Sequence, residues 1–163
     1  MLDTKGPEYR IKTFENKKIT LSEGDTFTFT TDDIVGNQER VAVTYENLID
    51  DLSVGDRIMV NNGLVQFVVT ELCGNDAVCT VTAGGEMSDR KSMNFPNKLL
   101  RNEYISEQDR EDILFGIEND IDFVAASFVS RKSDVAALRK LLDKNGGEGI
   151  GIIAKIENRA GVD

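Results

Sequence analysis

Two charged residues stand in an apolar segment near the end of the chain: Lys155 and Glu157, in IIAKIEN (Ile152 to Asn158). On a strand, alternate side chains share a face. Ile153, Lys155 and Glu157 then point one way, and Ile152, Ala154 and Ile156 the other. Removing each charge from water costs several kcal/mol unless something compensates. The compensation is either structural, as a solvated ion pair at a strand end, or chemical. The chain has no histidine, the commonest general base and metal ligand, so any catalysis here uses Lys, Arg, Asp, Glu, Ser or Thr. A second polar cluster, LDTKGPE (Leu2 to Glu8), contains Gly-Pro and on its own reads as a turn.

Composition narrows the classes. The 163 residues suit one ordinary domain or two small ones. With 19 basic and 29 acidic side chains the net charge is −10, which argues against nucleic acid or an anionic membrane as a general partner. A small phosphorylated ligand in a local basic pocket stays possible. No apolar run of about 18 residues predicts a membrane span, and the first residues carry no signal-peptide pattern. Cys73 and Cys79 flank a hairpin turn, CGNDAVC, in registers that do not set them opposite each other. Reduced thiols in a cytoplasmic protein are expected.

The elements that must position the charged groups change character near residue 94. Up to there the chain reads as short strands. TFTFT (Thr26 to Thr30) alternates strictly, and RVAVTY, DRIMV, LVQFVVTEL and AVCTVTA follow, divided by turn-forming residues. LSEGD (Leu21 to Asp25) and LSVGD (Leu52 to Asp56) repeat one Gly-Asp turn device ahead of a strand. A compact antiparallel β-barrel or sandwich is predicted. After Pro96 the period becomes helical. Ser106 caps a helix with Asp109 at its third position, and Ile113, Leu114 and Ile117 form its stripe. DFVAASFVS has strand length. Ser133 opens a second helix with Val135, Leu138, Leu141 and Leu142 on one face, and Gly146-Gly147 stops it. Helix, strand, helix, strand with short links predicts parallel α/β structure buried on both faces. Two parallel strands cannot cover themselves. A piece of a larger α/β domain, interrupted by a β domain, is the expectation. In a TIM barrel, functional groups sit at the C-terminal strand ends, where Lys155 and Glu157 fall.

LDTKGPE, NFPN with the preceding RKSM, ASF (Ala126 to Phe128) and IIAKIEN together resemble the pyruvate kinase family, in its order and at its spacings. The resemblance implies a mixed fold: an antiparallel β-barrel lid domain inserted into a TIM-type (β/α) barrel that is incomplete in this chain. Residues 1–6 would be a barrel strand end, 7–93 the lid, and 94–163 a partial barrel. It implies phosphoryl transfer from phosphoenolpyruvate to ADP, with Mg²⁺ and K⁺, in a cytoplasmic homo-oligomer. By the same resemblance Lys155 is the catalytic lysine and meets substrate with Ser127 and Phe128. Glu157 is a Mg²⁺ ligand, Asp3 and Thr4 are K⁺ ligands, and Arg10 and Lys91 meet nucleotide phosphates. An arginine for the substrate phosphate and a second magnesium carboxylate would lie outside this stretch, so the chain alone is expected to be inactive. Such chemistry needs charge neutralisation and alignment rather than a nucleophile, which fits a chain without histidine.

Two departures from the family pattern stand out. Asn61-Asn62-Gly63 replaces an Asp-Asp-Gly turn, keeping the turn and losing carboxylates. Asn97 stands where a glycine is usual. The competing expectation is a free-standing β-barrel module binding a small ligand or partner.

Overall fold

The computed structural model describes residues 1–163 except 97, 99, 102, 158–160 and 163. In chain order the first strands are β1 (Leu2–Asp3), β2 (Tyr9–Arg10), β3 (Lys18–Leu21), β4 (Thr26–Thr30) and β5 (Arg40–Ala42). A short helix α1 (Leu48–Asp51) precedes β6 (Arg57–Val60), β7 (Val65–Cys73), β8 (Asp76–Ala83), β9 (Gly85–Ser88) and β10 (Ser92–Asn94). Helix α2 (Glu107–Glu118), β11 (Phe123–Ala126), α3 (Lys132–Lys144) and β12 (Gly151–Ala154) complete the set. The chain divides into two compact units, residues 1–8 with 102–163, and residues 9–101.

The 9–101 unit is a seven-stranded sheet in the order β2-β10-β6-β7-β8-β4-β5, with a two-stranded sheet β3-β9. Its pairings are antiparallel except β4 with β5, which run parallel. Alternation in TFTFT turns Phe27 and Phe29 inward, both fully buried. Their rings meet Phe67, the Phe29–Phe67 centroids lying 4.9 Å apart in an edge contact. The two Gly-Asp turns are the same device. Asp25 Oδ2 accepts from the Ser22 N–H at 2.8 Å, and Asp56 Oδ2 from the Ser53 N–H at 2.6 Å. Gly24 and Gly55 take φ of +90° and +93°, which glycine adopts without a Cβ penalty. Asn61, Asn62 and Gly63 are also left-handed, so the turn survives the loss of its carboxylates. Cys73 and Cys79 are both free thiols, facing Asp76 and Val69 across the β7–β8 ladder. Burial pushes the Cys79 thiol up to about 12.

The return to the other unit falls later than the expected 93/94 boundary. Phe95 is buried in the core of the β unit and groups with Tyr9 and Tyr45. Lys98 pairs with Asp56 at 2.7 Å. The Asp51 side chain, 3% exposed, pairs with the Arg101 side chain at 2.8 Å, accepts from the Arg101 backbone N–H at 2.9 Å and accepts from the Tyr45 hydroxyl. These contacts hold Phe95, Lys98 and Arg101 on the β unit. Asn97 lies outside the described residues.

The other unit has three parallel strands in the order β1-β11-β12: the two read from the apolar pattern, and the strand end that the resemblance placed in residues 1–6. Leu2 and Asp3 pair with Val124 and Ala125, so the polar motif at the start of the sequence is the end of a strand. Helices α2 and α3 cover this sheet with Ile113, Leu138, Leu141 and Leu142, against Val124, Ala126 and Ile150. Ser106 caps α2, its Oγ accepting from the Asp109 N–H. Ser133 is not the cap of α3. The helix begins one residue earlier, and Asp134 reaches back to accept from the N–H groups of Ser130 and Arg131, a carboxylate suited to a helix start.

Asp51→Ala leaves a buried tyrosine hydroxyl without its acceptor and frees Arg101. Urea denaturation of this chain should show a loss of roughly 1–3 kcal/mol, with Tyr45→Phe milder because Asp51 keeps Arg101. A loss under about 0.5 kcal/mol, the size of an ordinary surface change, refutes the anchoring role of Asp51.

Candidate active site

Two backbone exits build the site. Strand β1 ends at Asp3 and β11 at Ala126, and the chain beyond each crosses the other at close range. Thr4 N–H donates to the Ala125 carbonyl at 3.0 Å. The Ser127 N–H then donates to Thr4 Oγ1 at 3.1 Å, and Ser127 Oγ donates to the Thr4 carbonyl at 2.5 Å. Thr4 and Ser127 are both buried polar residues, and this reciprocal pairing satisfies them. Gly6 lets the strands come so near. Its φ is +66°, and a Cβ there would stand 2.7 Å from the Ser127 carbonyl oxygen.

Strand β12 stops at Ala154, so Lys155 and Glu157 sit in the exit rather than on the strand. The ladder extends one step, with Lys155 N–H on the Ala126 carbonyl at 2.9 Å and Val129 N–H on the Lys155 carbonyl at 3.1 Å. That step sends the Lys155 side chain across the exits. Its Nζ lies 3.0 Å from Asp3 Oδ1, 2.8 Å from Ser127 Oγ and 3.8 Å from Glu157 Oε1. The Glu157 Oε2 accepts from the Phe128 backbone N–H at 2.9 Å. Phe128 holds a left-handed φ of +56°, a conformation that costs a non-glycine residue about 1–2 kcal/mol. The strain sits at the residue whose N–H holds Glu157.

Asp3, Thr4, Ser127, Phe128, Lys155 and Glu157 thus come together. Ser127 is 3% exposed and its hydroxyl is committed to Lys155 and Thr4, so it orients the lysine. The part of Phe128 that matters is its N–H. Arg10 and Lys91 lie in the β unit: Arg10 pairs with Ser92, next to Lys91, and its guanidinium donates to the Arg90 carbonyl at 2.6 Å. One residue expected to be merely helix-start and solvated does more. Asp109, 2% exposed, accepts from Lys5 N–H at 2.8 Å, Gly6 N–H at 3.1 Å and Ser106 Oγ at 2.9 Å, so α2 grips the loop after Asp3. Its place in a capping box was the only sequence signal.

Electrostatically, the hydrogen bond from Lys155 holds the Asp3 carboxyl below its ordinary 3.8, aided by Ser127 and the lysine's charge, with slight burial opposing. The same contact with Asp3 raises Lys155 above 10.5, and Glu157 adds to it. Among the described residues no group of three or more His, Cys, Asp or Glu side chains converges on a metal position. Mg²⁺ does not need one, since it takes one or two carboxylates and completes its shell with water and phosphate oxygens. Glu157, with one oxygen fixed by Phe128, fits such a ligand. For K⁺, Asp3 is 61% exposed in its side chain and keeps acceptor capacity. Thr4 offers its carbonyl, which already accepts from Ser127 Oγ, and Oγ1, which takes the Ser127 N–H and faces the Ala125 carbonyl; each keeps one lone pair.

These features define a class: part of a parallel β/α barrel, its sequence interrupted by a mostly antiparallel β domain, with charged groups gathered at the C-terminal strand exits. The family model described as pyruvate kinase, barrel domain, matches residues 1–163. The chain belongs to the pyruvate kinase family. It is 42% identical over 164 residues to a pyruvate kinase of Clostridium perfringens, covering all of this chain and 35% of that protein. It is 44% identical over 164 residues to one of Geobacillus stearothermophilus, covering 99% of this chain and 28% of that one. A crystal structure of a pyruvate kinase from Cryptosporidium parvum superposes with a TM-score of 0.90 at 36% identity, over 99% of this chain and 34% of that chain. The chain therefore spans about a third of the length of the relatives it matches.

The sign of the pair's contribution follows from the two shifts. Asp3, lowered, adds stability above its ordinary range, lost as pH falls through its folded value; Lys155, raised, adds stability below its ordinary value, lost as pH rises through its folded one. Asp3 is largely exposed, so the pair contributes no more than about 1 kcal/mol. In a ¹³C-carboxyl titration, Lys155→Met should move the Asp3 midpoint up, toward the ordinary carboxylate range. An unmoved midpoint would show that the two groups do not meet in solution.

Proposed function

We propose that this chain supplies part of the active site of a phosphotransferase that moves phosphoryl from phosphoenolpyruvate to ADP, giving pyruvate and ATP. The enzyme would be a cytoplasmic, homo-oligomeric glycolytic kinase using Mg²⁺ and K⁺. One observation carries the reading: the Lys155 ammonium, fixed between Asp3 and Ser127 at the exits of three parallel strands, with the Glu157 carboxylate beside it.

An ammonium has three donors. Asp3 and Ser127 take two, and the third is left for an oxygen of the phosphoryl group. Ser127 Oγ reaches the Thr4 carbonyl at 2.5 Å and Asp3 Oδ1 at 3.2 Å as donor, and toward the ammonium, which can only donate, it accepts. Lys155 is thereby pre-set, and its charge meets the transferring group without reorganisation, which is where electrostatic catalysis gains most. Glu157 would hold Mg²⁺ and Asp3, with the Thr4 carbonyl, K⁺; these cations supply further neutralisation of phosphate charge. The β domain serves as a lid, and Arg10 on β2 with Lys91, just before β10, meets the nucleotide phosphates. Among the described residues no helix is long and apolar enough to cross a membrane.

In the full-length protein carrying this sequence, Lys155→Met should abolish turnover while phosphoenolpyruvate binding changes little, because the interaction strengthens in the transition state. A raised KM with kcat intact sinks the assignment.

Lys91→Ala should raise KM for ADP about tenfold or more, since a charge-assisted contact to phosphate contributes roughly 1.5–3 kcal/mol, and should spare phosphoenolpyruvate. Unchanged ADP kinetics in Lys91→Ala and in the Arg90, Lys91 double variant would leave Lys91 a surface charge.

A further inference from the structure

One peptide group in the site is held at both ends. The Ser127 carbonyl and the Phe128 N–H belong to the same planar unit. Its N–H donates to Glu157 Oε2 at 2.9 Å. Its oxygen accepts from the Tyr104 hydroxyl at 2.7 Å. Tyr104 stands in the segment before α2, and its ring packs against the core of the barrel-side unit with Ile105 and Ile117. A phenol is protonated near neutral pH, burial and then Asp134, Asp109 and Glu157 push its pKa higher still, and it faces the carbonyl as a donor.

The peptide needs such a hold. Phe128 sits at φ +56°, on the side of the map that a phenylalanine leaves readily. Turning the 127–128 peptide over would carry φ toward ordinary values. It would also swing the N–H away from Glu157 and put a carbonyl dipole in its place. Tyr104 is bonded to the oxygen that would have to move. A donor on the carbonyl also polarises the peptide and strengthens its N–H as a donor.

We infer that Tyr104 is a positioning residue for Glu157: through the Ser127–Phe128 peptide it fixes the carboxylate in the orientation that binds the divalent cation. This rests on the proposed role of Glu157 as the cation ligand. Tyr104 touches neither the cation nor the substrate.

The test uses the full-length protein carrying this sequence and Mn²⁺ as the probe, with free Mn²⁺ read by electron paramagnetic resonance. Tyr104→Phe keeps the packed ring and removes only the hydroxyl. It should weaken Mn²⁺ binding on the order of three- to tenfold, at or below the low end of the ~10–100-fold typical when an outer partner of a metal ligand is lost. Glu157→Gln should weaken it more, and the double variant should bind no worse than Glu157→Gln alone. In turnover, excess Mg²⁺ should restore Tyr104→Phe and not Glu157→Gln. If Tyr104→Phe binds Mn²⁺ like the unaltered protein while Glu157→Gln does not, the inference about Tyr104 is wrong and the role of Glu157 stands. The inference about Tyr104 is equally wrong if the Tyr104→Phe loss persists undiminished on top of Glu157→Gln. If Glu157→Gln itself binds Mn²⁺ normally, the cation role of Glu157 is wrong, and the inference about Tyr104 goes with it.

Discussion

The site depends on the parallel register of three short strands. Asp3 lies beside Ala125, and Ala125 beside Ile153, so the chain leaves all three strands at one level. A shift of one residue in β12 would turn every side chain to the opposite face and send Lys155 away from Asp3. Between β1 and β11 the register is fastened by polar groups as well as by the apolar core. The Thr4 and Ser127 exits satisfy one another through hydrogen bonds of 2.5 and 3.1 Å in a buried setting. Breaking any one leaves a buried group unpaired, and such groups are costly.

Around that register the molecule gathers donors and acceptors in layers. Asp109 on α2 holds the Lys5 and Gly6 N–H groups, which sets the loop carrying Asp3 and Thr4. Tyr104 holds the Ser127 carbonyl and Phe128 holds Glu157. Lys155 then finds two fixed acceptors. The charged side chains are placed by the backbone exits, and those exits are placed by buried side chains. A strained residue at the centre, Phe128, is tolerated because bonds on both sides over-determine it.

The β unit follows different rules. Its stability comes from a continuous apolar core, with Phe27, Phe29, Phe67 and Tyr45 fully buried or nearly so, and from turns whose geometry their own residues dictate. The twin Gly-Asp turns are closed by their own Asp side chains, and the Asn61-Asn62-Gly63 turn by residues that take left-handed backbone. The return segment needs long-range partners. Its attachment through Phe95, Lys98 and Arg101 shifts the unit boundary to residue 101, well past the last strand, because anchoring side chains and not strand pairing decide where a unit ends.

The sequence by itself determined the elements with short-range causes. Alternation in TFTFT, the capping serine at 106, the Gly-Asp turns and the change of period after Pro96 each depend on neighbours a few residues away. Four motifs in order also tied the chain to its family. The tertiary structure alone decided what depends on residues far apart in sequence. The motif at residues 1–6 marked a strand end, but its pairing of Leu2 and Asp3 with Val124 and Ala125 is long-range. Asp109 became the clamp on Lys5 and Gly6, 104 and 103 residues distant, where local pattern showed only a helix start. Lys155 and Glu157 shared a face by strand parity, but β12 stops before them. Their meeting with Asp3 and the Phe128 N–H is set by three chain exits converging, and no pattern of period two or 3.6 encodes that convergence.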